Sequence, residues 1–506
     1  MTILIAIASF KSLDIKLLKL DYLTALKRAC IKFTQANGIQ TQTFSVLSID
    51  RNIGSYMRKI RKILIGQSGG PTVAINSSLA GIITRAHEEG VEIYGMQNGI
   101  EGFLNGRYTN LTNLFFPQKI QQERAADEKC GVEQHVADQH GADQPKHTVE
   151  LLVKTPSSFL GSCRYKLPEV TEETPIYQDI ECRLTSLGID GVLYIGGNDS
   201  MDTVDKLSTY FEQHNDDISV IGIPKTIDND LEGTDHAPGF GSSARYIATI
   251  VRELARDSEV YGKPNITIVE TMGRDAGWLG AASALAREKN EEAPDFILLP
   301  EVAYDEERLL RKTAELFEHK NSVVIVISEG VRRPDGSTLL DKSHMKMDAF
   351  GHLADQSGNA LYLAELFQKH FDAKIRGINL NSLQRCAMHS SSKTDLSEAF
   401  ELGKAGVDAL LAHKTGCMIG LQRLSDVPYQ AEIRCIPISE IANRVKSVPA
   451  DMISEDGLWV TEKALAYLRP LVSNEELTFD TDTRRFVSSN ISADDNGLPP
   501  FIPKLG

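Results

Sequence analysis

The chain has 506 residues, 54 Lys+Arg against 69 Asp+Glu, a formal net charge of −15, and 42% hydrophobic with 24% charged residues, the composition of an ordinary globular protein with several domains. The acidic balance argues against nucleic acid as the main partner, since clustered basic charge drives that binding, but a phosphorylated substrate needs only a local cationic pocket. Seven cysteines without a C-x-x-C pair argue against a disulfide framework or a zinc site and for a reducing compartment, and no apolar run approaches the roughly 20 residues of a membrane helix.

Residues 1–61 stand apart. They hold ten Lys/Arg, three Asp and no Glu, so they carry +7 against −22 for the remainder. No basic residues precede MTILIAIASF, as they would in a secretory signal. The acid-poor composition resembles a targeting leader, a reading weakened by Asp14, Asp21 and Asp50; Met57 as the native start is the plainer one, because RKILIG (61–66) follows it closely as a first strand.

The first strand is KILIG (62–66), and it runs into GQSGGPTVAIN, Gly66 to Asn76. Paired glycines at a strand-to-helix turn, here Gly69 and Gly70, let backbone N–H groups approach a phosphate. The letters match neither GxGxxG nor the Walker motif, and a tight turn without a ligand is the alternative. Residues 117–150, with His135, His140 and His147 among Gln, Asp and Gly, read as a solvated insertion rather than a metal site. LGSCRYK then offers Arg164.

A second strand, GVLYIGG (191–197), leads into Gly196 to Thr203, IGGNDSMDT. Gly197 permits close backbone approach, and Asn198, Asp199 and Ser200 put oxygen atoms at the same mouth. SVIGIP (219–224) follows, and after it IPKTIDNDLEGTD. Here Asp228 and Asp230 are two residues apart, so an extended chain would aim both the same way. Such a pair suits one Mg²⁺ ligand and one base for a hydroxyl; a polar Asx-type turn is the bland alternative. Lys225 and Thr226 precede the pair, and His236 after it reads as structural.

Beyond Gly241, Ile247, Ile250, Val251 and Leu254 share one helical face. NITIVETMG (265–273) delivers Met272, Gly273 and Arg274, and DFILLPE (295–301) and SVVIVISEG (322–330) follow, the latter ending on Glu329. RGINLNSLQR supplies Arg376 and Arg385. Guanidinium forks grip phosphate, although each alone is more often a surface residue. Buried strands alternating with amphipathic helices predict an α/β fold with parallel, doubly wound sheets, whose ligands sit beyond the carboxyl ends of the strands.

The glycine loop at 66–76, G-G-x-x-S, T-I-D-N-D, M-G-R, S-E-G and the Q-R at 384–385 occur in an order that resembles the phosphofructokinase family, from about Lys62 to about Leu471. The resemblance implies two Rossmann-like domains with the active site in the cleft between them. It implies a larger donor domain over 62–235, a smaller sugar-phosphate domain over 236–384, a helical return over 385–471 and a tail over 472–506. Carried over, Asp228 is the base toward the 1-hydroxyl of fructose 6-phosphate, with Thr226, Arg274 and Lys225 as further catalytic groups. Gly69, Gly70, Arg164, Gly197, Asp199, Ser200 and Lys225 would hold the donor, and Asn198 and Asp230 the Mg²⁺. Thr226, Asp228, Met272, Gly273, Arg274, Glu329, Arg376 and Arg385 would hold the sugar phosphate.

The family divides by donor. ATP-using members resemble G-G-D-G-S and P-G-T-I-D-N-D, whereas this chain has Asp199 and Lys225 at the positions of the glycines, as in the pyrophosphate-dependent branch. A carboxylate at 199 opposes a nucleotide α-phosphate, and Lys225 compensates a small, highly charged donor. At an effective dielectric of about 20 one such charge pair at about 4 Å is worth about 4 kcal/mol before desolvation, enough to choose a donor. Three departures stand out: Asn198 in place of an acidic residue near the metal, Asn265 where an arginine often reaches a neighbour's site, and Asn381-Ser382 ahead of Gln384-Arg385. The expectation is a cytoplasmic, Mg²⁺-dependent, reversible pyrophosphate-driven phosphotransferase of glycolysis and gluconeogenesis, as a homodimer or homotetramer. Its competitors are an ATP-dependent enzyme, a non-catalytic sugar-phosphate-binding regulatory subunit, and a related kinase of NAD or a lipid.

Overall fold

The computed structural model describes residues 59–117, 144–171, 175–214, 217–287, 293–340, 358–441 and 444–472. Most of the basic N-terminal stretch, the insertion over 118–143 with His135 and His140, and the tail beyond Val472 lie outside the described residues.

The first sheet has seven strands in the order β11-β10-β5-β4-β1-β2-β3: β1 Lys62–Gln67, β2 Glu92–Met96, β3 Tyr108–Asn110, β4 Gly191–Gly196, β5 Ser219–Pro224, β10 Cys417–Asp426 and β11 Tyr429–Pro437. β10, β5, β4, β1 and β2 run parallel, and β3 and β11 close the edges antiparallel. The second sheet is all parallel, ordered β7-β8-β6-β9, from β6 Asn265–Thr271, β7 Phe296–Leu298, β8 Ser322–Ser328 and β9 Lys374–Asn379.

Why these runs are strands is visible in where their side chains go. Ile63, Ile65, Leu193, Ile195, Ile221 and Ile223 enter one apolar cluster, while Leu64, Val192, Tyr194 and Val220 enter another. Val269, Val324 and Val326 are likewise separated from Ile266, Ile268, Val323 and Ile325. Alternate residues of each strand therefore fill opposite faces, both covered, which is why the sequence shows continuous apolar runs instead of alternation.

Eight helices of eight residues or more cover these faces among the described residues: α1 Ile75–Glu88, α2 Gln144–Val153, α3 Pro175–Leu187, α4 Asn198–His214, α5 Phe240–Glu259, α6 Glu306–Phe317, α7 Asn359–His370 and α8 Lys393–Leu411. On α5, Ile247 and Val251 are buried and Ile250 and Leu254 pack beside them, as the periodicity predicts. The buried Asp395 carboxylate of α8 accepts the Gly239 and Ser242 N–H groups at the start of α5 (2.8 and 3.1 Å), satisfying donors that a helix start leaves orphaned.

Two sequence expectations change. The polar stretch over 117–150 ends in helix, because α2 begins at Gln144. The return over 385–471 is not wholly helical: β10 and β11 form a hairpin that extends the first sheet. Cys417 and Cys435, on these paired strands, are joined as a disulfide, one bridge where the cysteine spacing suggests none. Cys163, Cys182 and Cys386 are free thiols.

Candidate active site

The chemistry-bearing residues follow the carboxyl ends of parallel strands, where α/β sheets place their sites. After β1, Gly69 takes φ +77°, a left-handed turn that suits glycine. The Gly69 carbonyl accepts from Ser162 Oγ (2.6 Å) and the Gly70 carbonyl from Lys225 Nζ (2.6 Å). After β4, a Cβ on Gly196 would lie 1.9 Å from Ser200 Oγ, so only glycine lets α4 begin there. One on Gly197 would sit 3.6 Å from the Lys225 carbonyl, which places this turn against the segment that follows β5.

That segment carries the centre of the site. Lys225 is 2% exposed, an unusual place for an ammonium. Its Nζ lies 3.3 Å from where a Gly69 Cβ would be, and Arg385 Nη1 is equally close to Gly70. Burial pulls the Lys225 pKa down to about 7; the Asp228 and Asp230 carboxylates oppose the fall, while Arg385 and Arg164 add to it. Thr226 Oγ1 accepts the Asp228 N–H (3.1 Å).

Asp228 and Asp230 do share one environment, but not by lying on an extended strand. Asn229 between them is left-handed, with φ 54°, and the loop bends there. Burial and the neighbouring Asp230 push the Asp228 carboxyl up to about 7, against the pull of Arg274. Burial also raises the Asp230 carboxyl. Each has a buried Oδ1 without a hydrogen-bond partner, a costly arrangement unless a ligand completes it.

The second sheet supplies the facing wall. Gly273, at φ +113°, turns the chain after β6 so that Arg274 comes within reach of the Asp228 and Glu329 charges. Burial works against charge on Arg274, but the Asp275 carboxylate, 3.1 Å from its Nε, more than offsets this and raises its pKa. Gly330 touches the same turn, for a Cβ there would stand 2.0 Å from the Arg274 carbonyl. The Met272 N–H donates to Gln384 Oε1 (3.2 Å), which ties Met272 to the turn bearing Arg385.

Not every expected residue joins this cluster. Arg376 belongs to β9, paired in register with Thr267 near the middle of β6, roughly 13 Å of strand before β6 ends and the chain turns to Arg274. Its guanidinium pairs with Asp257 (2.8 Å) and reaches the Tyr261 hydroxyl (3.4 Å). Within one chain it stands apart from the Arg274 and Glu329 turns. Asp199 is exposed in the first turn of α4, where negative charge offsets the positive helix end that would otherwise draw a phosphate. The Asn198 amide nitrogen donates to the Arg444 carbonyl (2.7 Å), so its oxygen is the atom by which it would bind a cation.

Sequence reasoning missed what holds the aspartate loop. His236 lies between Asp235 Oδ2 (2.8 Å) and Glu398 Oε2 (2.6 Å); burial disfavours its charge, but these carboxylates raise its pKa to about 9. Arg423 from β10 clamps Asp235, and Tyr429 donates to Glu398 (2.6 Å). Lys446 and Tyr467 brace the same loop. No local motif marks these partners, because they converge from distant parts of the chain.

A divalent cation fits the donor chemistry: two half-buried carboxylates with unpartnered oxygens are hard ligands. Among the described residues no group of three or more His, Cys, Asp or Glu is arranged to hold a metal ion. Mg²⁺ commonly uses one or two carboxylates and draws its remaining ligands from phosphate and water.

Two glycine turns, a buried lysine and an aspartate pair facing an arginine wall agree with the family match. The phosphofructokinase family model matches residues 62–410. The chain belongs to the phosphofructokinase family. It is 35% identical over 415 residues, 82% of this chain and 92% of the relative, to the pyrophosphate–fructose 6-phosphate 1-phosphotransferase of Xanthomonas campestris pv. campestris. Among solved phosphofructokinase structures, the pyrophosphate-dependent enzyme of Nitrosospira multiformis superposes with a TM-score of 0.70 at 30% identity, covering 85% of this chain and 96% of that one. The pyrophosphate-dependent enzyme of Marinobacter aquaeolei gives 0.68 at 30% identity, covering 83% and 94%. The two-sheet architecture is thus that of the phosphofructokinase fold, as the strand and helix pattern predicts.

Proposed function

We propose that this phosphofructokinase transfers a phosphoryl group from pyrophosphate to the 1-hydroxyl of fructose 6-phosphate, releasing phosphate. The observation that carries the donor is Lys225. Buried at the place of the ATP branch's glycine, its ammonium bonds to the Gly70 carbonyl and adds a cation beside the phosphate-side loop. With Arg164, whose charge is felt at Lys225, it would neutralise a donor that has no nucleoside to bind by. Asp199 would disfavour an α-phosphate at the start of α4.

The Asp228 carboxylate would take the 1-hydroxyl proton on its unpartnered Oδ1 as the hydroxyl oxygen forms its bond to phosphorus and the bridging P–O bond breaks, the electron pair leaving with phosphate. An elevated pKa suits this task, because a base close to neutrality accepts the proton readily. Arg274 and Arg385, with Met272, Gly273 and Glu329, would orient the sugar phosphate, so most of the rate would come from positioning and charge neutralisation. Asp230 and the Asn198 oxygen are the residues that would hold Mg²⁺, which supplies charge neutralisation on pyrophosphate when bound.

The same reading takes the reaction as reversible and able to serve both glycolytic and gluconeogenic flux, the phosphoanhydride and the ester being close in energy. It places the enzyme in the cytoplasm; no helix among the described residues is long and apolar enough to cross a membrane. It also takes the chain as a homodimer or homotetramer, in which Arg376, set on the half-exposed edge strand β9, would serve a neighbour's sugar end. Phosphorus NMR of the purified chain with fructose 6-phosphate, pyrophosphate and Mg²⁺ tests the activity. Growth of the fructose 1,6-bisphosphate and phosphate signals at equal rates supports it; loss of pyrophosphate to phosphate with no new ester would refute it.

A further inference from the structure

Five consecutive residues, Arg444 to Val448, touch three parts of the site while belonging to neither sheet. The Arg444 carbonyl receives the Asn198 amide at the mouth of the first sheet (2.7 Å). The Lys446 N–H donates to the Asp230 carbonyl (2.8 Å). The Val448 N–H donates to Glu301 Oε1 (2.9 Å), which also receives the Gly277 N–H (2.9 Å) beyond β6.

Lys446 is the pivot. Its ammonium donates to Asn229 Oδ1 (3.3 Å), the Thr234 carbonyl (3.0 Å) and the Asp235 carbonyl (2.7 Å), engaging as many acceptors as it has N–H groups. The Trp278 ring lies 5.6 Å from that ammonium, and its Nε1 donates to the Lys446 carbonyl (2.8 Å). With its donors committed to the loop, Lys446 acts on how the loop is held.

The aspartates need such a brace. Neither Asp228 Oδ1 nor Asp230 Oδ1 is anchored by a hydrogen bond, so their direction depends on the backbone around left-handed Asn229. Lys446 grips that loop at two places, through the Asn229 side chain and the Asp230 carbonyl at the left-handed turn and through the Thr234 and Asp235 carbonyls beyond it. We propose that Lys446 is a positioning residue for phosphoryl transfer, fixing the 228–235 loop so that Asp228 meets the accepting hydroxyl in register with the donor. The inference rests on the activity proposed above. A misplacement on the order of 1 Å can cost about a hundredfold in rate.

The test compares the parent, Lys446→Met and Lys446→Cys in pyrophosphate-driven turnover, with Tm and fructose 6-phosphate binding measured on the same samples. In Lys446→Met, kcat is expected to fall at least about tenfold while both KM values stay within about threefold, the pattern of lost transition-state positioning. Alkylation of Lys446→Cys with 2-bromoethylamine rebuilds an ammonium of nearly the same length and is expected to restore most of the lost kcat, against an equally treated parent. If Lys446→Met fails to fold, the cysteine variant before and after alkylation carries the comparison. An active parent with unchanged kcat in the variants overturns the positioning role, as does a Tm loss whose folded fraction turns over normally. A parent without turnover overturns the underlying activity instead.

Discussion

Lys225 sets function against stability. Its folded pKa of about 7 lies below the free-lysine value of 10.5 because burial outweighs its carboxylate neighbours. The unfolded chain therefore holds a proton there that the folded chain lacks between about pH 7 and 10.5, so this residue makes stability rise with pH across that window. Lys225→Met is expected to stabilise the protein at pH 7 by on the order of 1 kcal/mol after loss of the Gly70 bond, read as a higher Tm. The same substitution should lower kcat/KM for pyrophosphate at least about tenfold. In the parent, kcat/KM for pyrophosphate should decline as pH rises through about 7, where Lys225 loses its charge, and Lys225→Met should lack that alkaline limb. A limb that survives the substitution would assign it to another group. Asp228→Asn keeps the shape but removes the base, so kcat should fall by roughly 10²–10⁴ with fructose 6-phosphate binding still measurable by calorimetry. At this scale the sequence showed residue types well. Lys225, Asp228 and Arg274 lie in short contiguous motifs whose chemistry is legible letter by letter. The bend at Asn229 and the grip of Lys446 and His236 were not, because each depends on partners far away in the chain. The separation of Arg376 from Arg385 within one chain was hidden for the same reason: sequence order preserves their proximity but not the strand direction that separates them.

The turns after β6 and β8 must nearly touch for Arg274 and Glu329 to share one wall. Gly330 is the contact point, and a Cβ there would collide with the Arg274 carbonyl at 2.0 Å. Gly330→Ala should therefore displace the Arg274 turn, raising KM for fructose 6-phosphate about tenfold or more while leaving KM for pyrophosphate nearly unchanged; equal changes in both would contradict the division of the wall. A similar close approach joins α1 to α8. Cβ atoms at Gly81 and Gly403 would lie 2.0 Å from the Phe400 carbonyl and 2.1 Å from the Ser78 carbonyl. Gly403→Val should cost about 1–3 kcal/mol or more by overpacking, seen as a lower Tm. The buried strands could be read from their apolar runs, since two covered faces leave no polar positions. The β10–β11 hairpin could not, because Gln422, Arg423, Asp426, Glu432 and Arg434 interrupt its apolar residues on a partly exposed edge.

In the whole molecule, two sheets present the carboxyl ends of their parallel strands to one constellation, with the return segment over 385–471 crossing between them. Lys225 and Asp228 come from the first sheet and Arg274 and Glu329 from the second, so the site exists only while the sheets hold their places. Segment 444–448 bonds to loops that follow strands of both sheets, the route by which residues so far from any motif would bear on the chemistry. Arg376, on the partly exposed strand β9, is placed to meet a second copy of the chain. If neighbouring subunits exchange this arginine, mixing Arg376→Ala with Asp228→Ala chains, each nearly inactive alone, should restore about a quarter of parental activity through mixed dimers. No recovery after verified subunit exchange would place the complete site within one chain.

Donor choice decides how this site works, and an aldolase-coupled assay of fructose 1,6-bisphosphate formation tests it. Pyrophosphate and ATP are offered separately at equal concentration, with fructose 6-phosphate and Mg²⁺. Turnover is expected with pyrophosphate, at a rate at least about a hundredfold above that with ATP, because a single buried charge worth several kcal/mol separates the donors. Turnover with ATP equal to or faster than with pyrophosphate would contradict it.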